Sequence, residues 1–152
     1  MSESALPTKF STADLEGALL DWAVAKAEGI TITGLHVRSH SNYPDMPIGV
    51  FVHIRECVYD PSRNRRRAKM VVDREGIDLR SAGEWHAPAW EAKHPGFEPV
   101  MQHHEAYVAA MRSYVGAKLG AELDIPTEFV EQVRAAERSL AASLPSPSAA
   151  PF

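Results

Sequence analysis

The chain reads as a single α+β domain in which a small twisted antiparallel sheet packs against two or three helices. Three observations predict this. Apolar residues recur at helical spacing near both ends, they alternate at a spacing of two in much of residues 30–79, and turn-forming residues separate the segments. With 152 residues the chain can bury one core unaided, and 45% hydrophobic with 24% charged residues is a globular composition. The domain is expected to occupy residues 11–142, after a flexible segment 1–10 and before a disordered Ser/Pro/Ala tail at 143–152.

A helix is expected over residues 10–29. Ser11 and Asp14 resemble a capping box, with Phe10 and Leu15 as its hydrophobic staple. Leu15, Ala18, Leu19, Trp22 and Ala25 follow at helical spacing, Asp14, Asp21 and Glu28 recur every seven residues on another face, and Gly29 supplies a left-handed stop. Alternation from Ile30 to Arg38 then predicts strand, with Gly34 as a bulge, and residues 39–47 predict a loop. Val50, Val52 and Ile54 share one strand face and Phe51, His53 and Arg55 the other. The turn chemistry of residues 60–64 predicts a hairpin returning through Ala68 to Asp73, with Ile77 to Leu79 resuming the sheet. Residues 81–96 hold prolines, Trp85 and Trp90 without a clear period and predict an irregular excursion. A second helix is expected over 104–119, ended by Gly120, and a third over 126–142 with Pro126 in its first turn.

Bulk properties exclude several classes. A net charge of −4 argues against a dedicated nucleic-acid binder. The single cysteine, Cys57, allows no internal disulfide and points to a reducing compartment. No apolar run is long enough for a membrane span, and the first residues carry neither the basic nor the apolar region of a signal peptide, so a cytoplasmic protein is expected.

The candidate chemistry is sparse. His103, His104 and Glu105 with nearby His86 and His94 form the best candidate metal cluster, but adjacent His103 and His104 point about 100° apart on a helix, so no metal is assigned. The run Arg63-Asn64-Arg65-Arg66-Arg67 is read as a solvated, positively charged hairpin loop ahead of a phosphate contact. Asp73-Arg74-Glu75 serves equally to orient a ligand, with Arg74 as an anion clamp, or to protect a strand edge. Cys57 lacks a CxxC partner and reads as a buried structural thiol; no phosphate-binding glycine loop or nucleophile elbow is present. Trp22 and Tyr114 lie on apolar helix faces and read as core, whereas Trp85 and Trp90 are better placed to meet a ligand or partner.

Three segments resemble one family. Residues 15–29, Leu-Glu-Gly-Ala-Leu-Leu-Asp-Trp-Ala-Val-Ala-Lys-Ala-Glu-Gly, resemble the opening motif of the NinX-like proteins of phages and prophages. Residues 110–120, followed by Glu122, Ile125 and Pro126, are similar to its closing signature, and Asp73-Arg74-Glu75-Gly76-Ile77 to a shorter middle motif. The likeness spans roughly residues 12–130 and departs at the arginine-bearing stretch before the middle motif. It implies a phage accessory protein of uncharacterised chemistry, working in the bacterial host cell. By analogy with small phage proteins that counter host defence, it suggests a nucleotide sponge.

The leading expectation is a non-enzymatic protein that binds a small nucleotide-derived ligand. Its binding residues would be Asp21, Trp22, Lys26, Arg74, Glu75, Trp85, Trp90, Arg112, Tyr114 and Lys118, with no catalytic set and no cofactor. The alternative is an inhibitor or adaptor that contacts a host protein through residues 81–96 and the arginine run. A nucleotide-acting enzyme with Asp73, Glu75 or a histidine as general base ranks last. A small sheet also leaves a face or edge that a second copy can cover.

Overall fold

A computed structural model describes residues 7–39 and 48–143. The order of elements is β1 (Thr8–Ser11), a 3-10 turn (Thr12–Asp14), α1 (Gly17–Glu28), β2 (Gly34–Arg38), β3 (Gly49–Ile54), β4 (Cys57–Tyr59), α2 (Arg65–Glu75), β5 (Asp78–Ser81), β6 (Trp90–Lys93), β7 (Met101–His103), α3 (Ala106–Leu119), β8 (Glu122–Ile125) and α4 (Thr127–Ser143). The α+β class holds. Among the described residues all strand pairing is antiparallel, but it is divided among three small sheets, ordered β2-β3-β4, β5-β6-β7 and β1-β8. No described helix is long and apolar enough to cross a membrane.

The centre is α3. Every residue from Val108 to Gly116 is buried, so this helix is enclosed on all sides rather than laid on a surface. It packs against α1, α2, β6 and β7. One glycine makes this possible: a Cβ at Gly116 would stand 2.3 Å from the Phe97 ring, so the absence of a side chain sets how closely that ring approaches. The other wall is α1, whose Ala18, Leu20, Ala23, Val24 and Ala25 are buried with Val50 and Val52 of β3.

Several elements depart from the sequence expectations. The opening helix begins at Gly17, Ser11 makes no side-chain capping bond, and Leu15 is buried in the connection ahead of α1. Thr8 to Phe10, placed in a flexible segment by the sequence, pair with β8 as an outer two-stranded ribbon. Buried Thr12 extends it, donating from N to Ala121 O at 2.8 Å and from Oγ1 to Gly120 O at 2.7 Å. Residues 30–33 are not strand; β2 starts at Gly34.

The largest correction concerns the arginine run. The hairpin turns at Arg55 and Glu56, and the supposed return over Ala68–Asp73 is helix α2. Asn64 caps it by accepting from Arg67 N at 3.2 Å, while Ala68, Val71 and Val72, three and four apart, turn inward. The middle motif thus sits on a helix end, closed by Gly76 at φ 69. The excursion at 81–96 is also ordered: β6 returns against β5, and β7 follows. Most of the expected 39–47 loop and of the 143–152 tail lies outside the described residues.

Candidate functional site

The three motif segments meet at one polar cluster. Glu28 comes from the last turn of α1, Arg74 and Glu75 from the end of α2, His94 from just past β6, and Tyr114 and Lys118 from α3. Arg74 Nη2 donates to Glu28 Oε1 at 2.9 Å and to Tyr114 Oη at 3.2 Å, and its Nε donates to Glu75 Oε2 at 3.0 Å. Tyr114 Oη donates to Glu28 Oε2 at 2.9 Å. Lys118 Nζ lies 3.6 Å from Glu75 Oε1. The backbone N–H of Gly96 donates to His94 Nδ1 at 2.8 Å, which leaves the ring proton on Nε2, aimed at Glu75 Oε1 at 2.9 Å.

These contacts set the electrostatics. The His94 hydrogen bond, with help from Arg74 and Lys118, holds the Glu75 carboxyl below its ordinary range despite partial burial. Burial, then the bond to Glu28, pushes the Tyr114 hydroxyl up to about 12. The hydrogen bond to Glu75 raises the already basic Arg74 further. The network balances its own charges and ties three helices to a strand. Tyr114→Phe is expected to cost about 1–2 kcal/mol in urea unfolding, because a buried hydroxyl bridging Arg74 and Glu28 is lost. Lys118→Met, which removes a half-exposed ammonium, is expected to cost under about 0.5 kcal/mol.

Asp21 and Arg112 spend their hydrogen bonds on the fold itself. Asp21 is fully buried; its Oδ1 accepts from Ser62 N at 2.8 Å and its Oδ2 from Arg63 Nη2 at 3.1 Å. Arg63 also donates to Val50 O at 2.9 Å and stacks over Phe51 at 3.9 Å. Burial outweighs these partners and raises the Asp21 carboxyl to about 6. Arg112, also buried, donates to Leu15 O, Gln102 O and Glu16 Oε1.

The remaining candidates are dispersed. Trp90 packs half-buried against the core from β6, while Trp85 stands almost wholly in solvent. Trp22 lies 6.0 Å from the Phe129 ring, and Lys26, one turn on, places its ammonium 5.3 Å from the Trp22 ring centre. These two border a concave region. A recess of about 400 Å³ is lined by Trp22, Lys26 and the chain following α1. It shares Gly29, Ile30 and Thr31 with a groove of about 660 Å³, whose other lining includes Arg55 and Cys57 of the β3–β4 hairpin and Arg67 of α2.

One groove residue, Arg55, was not singled out in the sequence; Arg67 belongs to the run weighed there for phosphate contact, and Cys57, expected to be buried, is exposed. Arg55 adopts φ 53, where glycine or asparagine sits more readily, and among the described residues no hydrogen bond or ion pair engages it. Arg67 is partly held, with Nη2 3.4 Å from Val58 O and Nε 3.6 Å from Asp60. Only the positive-φ turn, invisible in the sequence, aims Arg55 here. Glu28 was also missed, although the seven-residue recurrence of Asp14, Asp21 and Glu28 was a signal for it, and His94 was weighed only within a histidine cluster. The rings of His103 and His104 stack 4.1 Å apart, and their Nε2 atoms face separate carboxylates, Glu16 and Glu105. Among the described residues no group of His, Cys, Asp and Glu is placed to hold a metal ion.

Residues 11–118 match the family model described as Bacteriophage P22, NinX. No curated protein matches the chain.

Proposed function

The chain belongs to the NinX family of bacteriophage proteins, and from that premise we propose that it binds and sequesters a small anionic, nucleotide-like ligand in the groove beside α1, without chemistry. The observation that carries this is the groove itself. Its volume of about 660 Å³ suits a small ligand, and it collects two guanidiniums from separate elements, Arg55 and Arg67. Trp22 and Lys26 in the adjoining recess offer an aromatic face and a cation at the same end. A base or ribose would lie along Gly29, Ile30 and Thr31, with phosphates toward the arginines. Sequestration in the host cytoplasm follows naturally for a phage accessory protein.

Binding is favoured over catalysis because the two imidazoles nearest the polar interior are committed. His94 and His103 each accept a backbone N–H at Nδ1 and face a carboxylate from Nε2, so neither offers a free lone pair as general base. The test is a thermal-shift and calorimetric titration with ADP-ribose, a cyclic dinucleotide and ATP. A ligand present at one hundred times its Kd is expected to stabilise the protein by about 2.7 kcal/mol. Arg55→Glu with Arg67→Glu is expected to abolish that gain. A flat melting temperature with all three at millimolar concentration sinks the proposal, and recovery of altered nucleotide assigns an enzyme instead.

A further inference from the structure

The β5–β6 hairpin ends in a feature that the fold does not use. Ala82 N donates to Ala89 O at 2.9 Å, Glu84 N to Ala87 O at 3.2 Å and Ala87 N to Glu84 O at 3.0 Å. Trp85 and His86 are therefore the two central residues of a tight turn. The strands beneath are pressed together: a Cβ at Gly83 would stand 2.3 Å from Ala87 O and 2.4 Å from Ala89 N. His86 meets the indole edge-on at 5.3 Å, and its Nε2 lies 3.1 Å from Glu84. Pro88 fixes its own φ on the returning side. The result is a braced tip that holds Trp85 with 93% of its surface in solvent.

Both central residues keep a negative φ, a turn that most residue types can form, so backbone geometry does not call for tryptophan there. An indole left in water gains nothing from folding, so packing does not account for its exposure either. We propose that this tip is a docking knob, which inserts Trp85 into an apolar pocket with a basic rim on a partner protein. Tryptophan is the residue type most enriched among interface anchors, and a pre-ordered tip loses little freedom on binding. The charge pattern selects the partner class. Glu84 stands exposed beside the indole on a chain of net charge −4, which suits a basic rim and repels a phosphate backbone or an anionic membrane. The knob lies on the β5-β6-β7 sheet and does not depend on the groove lined by α1, α2 and the β3–β4 hairpin.

The test places a photoreactive benzoylphenylalanine at position 85 of the full chain, expressed in bacterial cells, with position 70 as a control because Met70 is also exposed, at 68%. The expected result is a discrete adduct with another protein from position 85 only, reduced about ten-fold by Glu84→Lys. With that partner purified, Trp85→Ala is expected to weaken binding about 30-fold and leave the melting temperature unchanged. The proposal is overturned by no adduct, by equal adducts from position 70, by adducts only to lipid, nucleic acid or a second copy, or by full binding of Trp85→Ala.

Discussion

Asp21→Ala is expected to lower the unfolding free energy by about 3–5 kcal/mol in urea at neutral pH. The carboxylate accepts the Ser62 N–H, and it holds Arg63, whose guanidinium also reaches Val50 O. Alanine leaves the buried Ser62 N–H without this acceptor and Arg63 with Val50 O but no counter-charge. Asp21→Asn keeps an oxygen for Ser62 and is expected to lose only part of this. Asp21→Asn with Arg63→Met, which removes both charges, is expected to be more stable than Asp21→Ala, because what hurts is one buried partner without the other.

The same group gives a signed pH dependence. Burial raises the Asp21 carboxyl from 3.8 to about 6, so between those values the folded chain holds a proton that the unfolded chain has released. Stability from this group therefore falls as pH rises from about 4 to about 6, by about 3 kcal/mol at most, and is flat above. Glu75 has the opposite sign: its lowered folded pKa gives stability above the ordinary carboxylate range, lost as pH falls through the folded value. Subtracting the Asp21→Asn curve from the wild type isolates the first effect. A difference that rises between pH 4 and 6 contradicts the assignment.

Much of the helical layer was legible. α1, α3 and α4 each bury a face or more of regularly spaced apolar residues, and Gly29 and Gly120 mark two of their ends. α2 was misread because its arginines and paired valines suggest a charged loop and a strand, although Ala68, Val71 and Val72 already carried the three- and four-residue spacing. The division into three sheets was not legible, since antiparallel partners such as Thr8 and Ile125 are chosen by contacts across the whole chain. For the site, residue types were readable and destinations were not. Asp21 and Arg112 were expected to bind the ligand, and burial turned both toward the chain's own backbone. Arg74, Glu75, Tyr114 and Lys118 did come together, through contacts up to 46 residues apart in the case of Arg74 and Glu28.

Arg112→Ala is expected to cost a further large amount, about 3–5 kcal/mol, measured by the same unfolding experiment. Nε donates to Leu15 O at 2.7 Å and Nη1 to Gln102 O at 3.2 Å, so one side chain on α3 ties the approach to α1 to β7. Alanine leaves two carbonyls without this donor and opens a space beside Leu15, itself 1% exposed. The ion pair with Glu16 is the smaller part of the loss. Glu16 is 64% exposed, and Glu16→Gln is expected to cost under about 0.5 kcal/mol. Arg112→Lys separates charge from geometry: the ammonium keeps the charge but cannot span the carbonyls as a planar fork does. It is expected to lose about 2 kcal/mol or more. Burial already pulls the Arg112 guanidinium below its ordinary basicity, against the pull of Glu16 and Asp14. If lysine is tolerated while Glu16→Gln is damaging, the charge and not the carbonyl bridge holds this corner together.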